Sequence, residues 1–316
     1  MKLNNDYINT SMVLQINDVI NLCQLMKISL KELYYIINNI DKYYNYYNIP
    51  KRNGDVRLIC EPKPKLKYLQ KYIQKNILEN IPCSDFSMAY KKGVSIRDNA
   101  KYHINQKYIL KMDLKDYFNN LKGSSVYNLF EKIGYDPNVS YILSHLCCLN
   151  GSLPQGAPTS PYLSNLLTYN LDIDLNNYCK SENRNLNYSR YSDDIVISGD
   201  FNAKEIIPEV IHIIRKHQLI VNYDKLVVIG QHKKQEVTGI VVNDKIQVSK
   251  SYRKKIRQEV YYIKTYGLEE HLKFNNIKYK YKEKYLSSLR GRINHCLQVN
   301  PDDVEMRRYK IFLKLF

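Results

Sequence analysis

Tryptophan is absent from this 316-residue chain. No apolar run approaches the roughly 18 residues of a membrane-spanning helix. The N-terminus, MKLNNDYINT, has no apolar segment of the secretory kind, so a cytoplasmic protein with no membrane partner is expected. The seven cysteines are an odd number with no CxxC pair, and Cys147 adjoins Cys148. That argues against a disulfide framework or a zinc ribbon and suits a reducing compartment. Internal repeats and low-complexity linkers are also missing. What is present, 44% hydrophobic residues over this length, excludes wholesale disorder and allows one large or two ordinary domains.

Negative charge is in deficit: 48 Lys and Arg face 31 Asp and Glu, a net of +17. The surplus is uneven. Residues 250–316 hold 17 cations and 7 acids, and residues 41–75 hold 9 and 3. Residues 1–40 balance at 3 and 3, and residues 76–249 carry 19 and 18. Two basic regions flanking a nearly neutral middle are the pattern of a chain that grips a polyanion from two sides. AT-rich coding accounts for the many Lys, Asn, Ile and the 30 Tyr, but not for the neutral middle. A membrane surface fits less well, because the basic segments lack a continuous apolar face with Trp or Phe anchors.

Hydrophobic spacing predicts helices over the first 50 residues, with Val19, Leu22, Leu25 and Met26 on one face. A turn bracketed by Pro50 and Gly54 then leads to a strand, DVRLICEP, and to a helix around Leu66, Leu69, Ile73 and Ile77. A loop over 91–98 precedes a helix start near Asp98, and KYILKMDL is a strand that ends on an acid. Residues 122–150 read as helical. LPQGAPTSP opens a long helix through Leu175, and RYSDDIVISG reads as two strands around a polar tip. AKEIIPEVIHIIRKHQ is helical, with Pro208 expected in an early turn. VTGIVV and KIQVS form a hairpin about Asn243-Asp244. The remainder is helical and basic, with Asn300-Pro301 expected to start the final helix. This order implies an α+β fold.

Asp193 and Asp194 are adjacent acids between apolar strands, where like charges raise each other's pKa. Alone they are an ordinary solvated hairpin tip. Asp113, which also ends an apolar strand and is followed by Asp116, changes the balance. Three carboxylates at strand ends can hold two Mg²⁺ ions about 3.5–4 Å apart for in-line phosphoryl displacement. Mg²⁺ accepts a few carboxylates plus substrate phosphate oxygens. The Gly-Pro loop from Gln155 to Pro161 sits at a helix N-terminus, where free backbone N–H groups face an incoming strand or phosphate.

LKMDLKDYF, LPQGAPTSPYLSNLL and YSDDIVIS, in this order and spacing, resemble the palm motifs of reverse transcriptases. The resemblance implies a right-hand polymerase with an RRM-like antiparallel palm sheet and mostly helical fingers and thumb. Residues 1–105 and 122–157 would form the fingers, 106–121 and 158–246 the palm, and 247–316 the basic thumb. It further implies that Asp113, Asp193, Asp194 and the backbone carbonyl of Leu114 bind Mg²⁺, with Mn²⁺ as a substitute. Phe118 resembles the steric gate that rejects a 2′-OH, with a plain core aromatic as the competing reading. Gln155 would contact the incoming nucleotide, with Gly156 allowing its close approach. Tyr191 would lie near the primer end or the template minor groove. Lys225, Arg57, Lys63 and Lys65 resemble triphosphate contacts, against the alternative of solvated surface cations.

Asn99-Ala100-Lys101-Tyr102-His103 fits the NAxxH element of retron reverse transcriptases, and Val237-Thr238-Gly239 fits their VTG element. The likeness runs from about residue 50 onward. Ser192 departs from it, since alanine is more usual there, and little effect on the nucleotide is expected. Asn99 and His103, at i and i+4, could share a helix face and reach RNA phosphate or 2′-OH groups. Alternatively Asn99 caps a helix, His103 is a satisfied polar residue, and Gly239 permits close strand packing. The family implies deoxynucleoside triphosphates, a structured non-coding RNA, an msDNA product branched 2′–5′, a separate effector protein and anti-phage defence. No RNase H constellation is visible. The alternatives are another bacterial reverse transcriptase, diversity-generating or group II-derived, or a non-catalytic RNA-binding defence component.

Overall fold

A computed structural model describes residues 13–50, 54, 56–181 and 185–316. The N-terminal decapeptide and most of the turn between Pro50 and Val56 lie outside the described residues. In chain order come helices α1 (Val19–Met26) and α2 (Leu30–Asn38), strands β1 (Tyr44–Pro50) and β2 (Val56–Pro62), and helices α3 (Pro64–Asn76) and α4 (Ile96–Lys101). Strand β3 (Tyr108–Leu114) precedes α5 (Tyr117–Asn120), α6 (Gly123–Ile133), α7 (Pro137–Cys147), α8 (Ser160–Leu167) and α9 (Tyr169–Lys180). Strands β4 (Asn187–Tyr191) and β5 (Asp194–Gly199), helix α10 (Ala203–Lys216) and strand β6 (Val221–Gly230) follow. The short strands β7 (Glu236–Val237), β8 (Ile240–Val241) and β9 (Gln247–Val248) lead to α11 (Lys250–Tyr266), α12 (Leu268–Phe274), α13 (Lys282–Val299) and α14 (Val304–Phe312).

The chain divides into two compact units. The first holds the described residues up to Val94, with Leu110–Ile197 and Phe201–Val227. Its helices begin and end on local signals. Asp18 caps α1 by accepting from the Asn21 amide at 2.7 Å, Pro64 and Pro137 occupy the first turns of α3 and α7, and Gly134 closes α6 at φ 103°. The buried face of α7, with Val139, Ile142, Leu143 and Leu146, packs against α1, α2, α3 and α6. Strands β4, β5, β3 and β6 form a four-stranded sheet in that order.

The first 50 residues are not wholly helical. Tyr44–Pro50 pairs antiparallel with β2, Tyr46 opposite Cys60 and Asn48 opposite Leu58. The aromatic and β-branched residues of YNYYNIP outweigh the helical spacing upstream. The helix expected through Leu175 breaks at Thr168 into α8 and α9. Pro208 lies inside α10, beyond its first turn.

The second unit holds Ser95–Ile109, Ser198–Asp200 and Val228–Phe316. Ser95 and Asp98 close a reciprocal capping box on α4, placing the helix start at Ile96, two residues before Asp98. The expected β8–β9 hairpin is present, but VTGIVV is interrupted. Thr238 (φ 48°) and Gly239 (φ 81°) turn the chain between β7 and β8, adding a third strand. Ile256, Val260 and Ile263 of α11 and Leu286, Leu289 and Ile293 of α13 are buried where those helices pack. Glu259 ties them together, accepting both Arg292 guanidinium nitrogens at 2.6 Å. Asn300 terminates α13, and Asp303 caps α14 by accepting from the Met306 amide, so Asn300-Pro301 ends one helix instead of starting the next.

Candidate active site

Asp113 is the penultimate residue of β3, and Ser192-Asp193 forms the turn between β4 and β5. The Leu114 amide donates to the Asp193 carbonyl at 2.9 Å, which brings the strand end and the turn together. A side chain that follows its strand neighbour in sequence points to the other face. Here the left-handed Ser192 (φ 62°) breaks that alternation at the turn. The carboxylates of Asp113, Asp193 and Asp194 therefore share one electrostatic environment. Burial first, then the other two carboxylates, pushes Asp194 up to about 6, although its side chain still opens to solvent. Asp193 is raised by burial and by Asp113.

Lys225, on β6, places its Nζ 2.6 Å from Asp113 Oδ1, and Asn222 Nδ2 donates to Asp113 Oδ2 at 3.2 Å. The ammonium pKa rises chiefly through that Asp113 bond. A cavity of about 350 Å³ is lined here by Lys111, Asp113, Asp194, Asp224 and Lys225 among others. The donor set fits a hard divalent cation, since it offers carboxylate oxygens, and the pKa values of Asp193 and Asp194 are raised by burial first and by neighbouring carboxylates second. Among the described residues, no group of three or more acidic, histidine or cysteine side chains is arranged so that it could hold a metal ion. Lys225 is the cation now facing Asp113.

Beneath the turn lies a group that sequence reasoning missed. Arg190 is fully buried, donates through Nε and Nη2 to both oxygens of Asp172 at 2.7 and 2.8 Å, and reaches the Ser192 carbonyl and the Tyr117 hydroxyl at 2.9 Å through Nη1. Burial opposes the guanidinium charge and Asp172 outweighs it, so the Arg190 pKa rises. Tyr188 also donates to Asp172, at 2.7 Å. An arginine between Ser189 and Tyr191 in NYSRY, and an aspartate between Leu171 and Ile173, were the available signals.

The other candidates are dispersed. Phe118 is half-buried, its ring edge-on to Tyr117 with centroids 5.4 Å apart. Gln155 is partly exposed, and its carbonyl accepts from the Cys60 amide at 2.7 Å. Gly156 (φ 119°) does make a close backbone approach, but to β2: a Cβ there would lie 2.7 Å from the Cys60 carbonyl oxygen. Tyr191 is partly exposed on the acid-bearing hairpin. Arg57 and Lys63 are exposed and make no ion pair among the described residues, whereas Lys65 pairs with Glu32 at 2.9 Å.

Asn99 and His103 do not present themselves to RNA. Both are fully buried, His103 Nδ1 lies 2.7 Å from Ser198 Oγ, and Asn99 Nδ2 reaches Thr238 Oγ1 at 3.5 Å. The plainer reading holds for His103, a satisfied polar residue, but not for Asn99, which lies inside α4, a helix that Ser95 caps, and joins it to the VTG turn. Val237 is buried, and Gly239 supplies the left-handed turn.

Among the described residues no helix is long and apolar enough to cross a membrane. The family model "Reverse transcriptase (RNA-dependent DNA polymerase)" matches residues 49–242. The chain is 33% identical over 252 residues to the retron Ec86 reverse transcriptase of Escherichia coli, covering 78% of each chain. It is 27% identical over 285 residues to the retron Ec83 reverse transcriptase of the same organism, covering 83% of this chain and 85% of that one. In fold it is similar to telomerase from Candida albicans solved with a fragment of telomeric RNA, at TM-score 0.50 and 12% identity, over 90% of this chain and 65% of that one. The α+β fold is that of a right-hand polymerase, and the chain belongs to the reverse transcriptases, RNA-directed DNA polymerases, in their retron branch.

Proposed function

We propose that this reverse transcriptase copies part of its own structured non-coding RNA into msDNA, priming from a guanosine 2′-OH, and that the RNA–DNA product acts with a separate effector protein in anti-phage defence. The retron relatives support this reading, and one contact carries the catalytic assignment: the 2.9 Å bond that joins the Asp113 strand to the Asp193 turn. Asp113, Asp193, Asp194 and the Leu114 carbonyl would hold two Mg²⁺ ions, with Mn²⁺ as a substitute. Bound there, the ions supply Lewis acidity at the primer hydroxyl and at the departing pyrophosphate. Lys225 presents its ammonium at this site and directs the triphosphate. Phe118 closes the space a ribose 2′-OH would need. Gln155, Arg57, Lys63 and Lys65 line the nucleotide path, and Tyr191 lies at the primer end. Residues 1–105 and 122–157 form the fingers, 106–121 and 158–246 the palm, and 247–316 the thumb.

Expression of the chain with its flanking DNA, followed by extraction of nucleic acid, tests the retron role. A DNA strand joined to RNA and released by 2′–5′ debranching is the expected product. Primer extension without any branched product would assign the chain to another class of bacterial reverse transcriptase.

A further inference from the structure

Ser192 occupies the position where the family resemblance leads one to expect alanine, and its side chain has a partner. The Tyr90 hydroxyl donates to Ser192 Oγ at 3.0 Å, across 102 residues of sequence. Ser192 is only 6% exposed, so its hydroxyl needs such a partner. Tyr90 thus bonds directly to the turn residue that precedes a proposed catalytic carboxylate, Asp193.

The surrounding backbone holds both ends of that bond in place. Residues 86–88 run beside β4: the Arg190 amide donates to the Phe86 carbonyl at 2.9 Å and the Met88 amide to the Arg190 carbonyl at 2.8 Å. Asn165 Nδ2 then fixes the Ala89 carbonyl at 2.8 Å. Tyr90 (φ 61°) and Ser192 (φ 62°) both adopt the left-handed conformation, uncommon for residues other than glycine. Strain at two residues that bond each other, one of them in the catalytic turn, points to a positional demand there. The Tyr90 ring remains 44% exposed beside the turn, so the hydroxyl bond is not a by-product of burying the ring.

We propose that Tyr90 is a positioning residue for DNA synthesis, acting through the Ser192 hydroxyl to hold the turn that carries Asp193. The inference rests on the catalytic role proposed for Asp193. An alanine at 192 would leave Tyr90 without its acceptor and the turn without its tether.

The test compares the full chain with Tyr90→Phe, Ser192→Ala and the double variant. Three quantities are measured: kcat and KM for deoxynucleotide on a primed RNA template, Mn²⁺ affinity of the nucleotide-free protein by electron paramagnetic resonance, and the thermal midpoint. Each single variant is expected to lower kcat and Mn²⁺ affinity by about three- to tenfold, the equivalent of one hydrogen bond, with KM and the midpoint unchanged. The double variant is expected to match the singles, because either change breaks the same Tyr90–Ser192 bond. Wild-type kcat and Mn²⁺ affinity, or losses that multiply in the double variant, would overturn the proposal. Asp193→Asn in the same assay separates the two claims. If it leaves extension intact, the catalytic assignment fails. If it abolishes extension while the Tyr90 and Ser192 variants behave as wild type, only the positioning role fails.

Discussion

Arg190 ties down the Ser192-Asp193 turn without belonging to it, through the Ser192 carbonyl. A fully buried guanidinium is tolerable only because Asp172 pairs with it through two bonds and Tyr117 and the Ser192 carbonyl take up Nη1. Asp172→Asn leaves that charge uncompensated and is expected to cost about 3–5 kcal/mol in urea unfolding. A loss under about 1 kcal/mol would contradict the pairing described. His103 makes a separate, pH-dependent claim. Burial holds its pKa down at about 3, against 6.5 in an exposed histidine, so the fold accommodates only the neutral ring. Its contribution is complete above pH 6.5 and lost as pH falls toward 3, at up to about 1.4 kcal/mol per unit. His103→Gln is expected to flatten the decline in unfolding free energy between pH 6.5 and 5, and an unchanged slope would refute this. The three acids were legible in the sequence because acids at strand ends are conspicuous. Arg190 and Asp172 were not, because a buried charge is identified by its partner, and these two lie 18 residues apart on a strand and a helix.

At the scale of elements, spacing located α1, α3, β3, the β4–β5 hairpin and most of the helices beyond. It missed β1, whose residues are almost all exposed after Tyr44 and so show no buried face to read. For Gly156 it could not show which neighbour within the chain comes close. The residue suits close approach, as its type implied, but the neighbour is the Cys60 carbonyl of β2. Gly156→Ala combines a left-handed backbone with a clash against main chain and is expected to destabilise by about 1–3 kcal/mol. Denaturant melts check this, and a variant of wild-type stability would show that β2 yields freely. The VTG element was likewise read as part of a strand. Its Thr238 and Gly239 are the turn, and a two-residue strand on each side gives too little alternation for sequence to mark.

For the whole molecule, the net charge of +17 acquires a location. The acids cluster in the nearly neutral middle, and the +10 of residues 250–316 falls on a helical unit whose buried faces are apolar and whose Glu259 and Glu305 are already paired with arginines. Most of the lysines there have no acid partner among the described residues, which leaves them for phosphate. RNA affinity is therefore expected to fall steeply with salt. Replacing Lys254, Lys255 and Lys284 with glutamine should reduce the slope of log affinity against log salt by about one for each phosphate that the variant no longer neutralises. An unchanged slope would place the RNA elsewhere. The catalytic assignment is tested most directly by extension of a DNA primer on an RNA template with deoxynucleotides and Mg²⁺, comparing the wild-type chain with Asp193→Asn. Loss of extension at an unchanged thermal midpoint is the expected result, and extension that persists in the variant would contradict the assignment of Asp193 as a catalytic carboxylate.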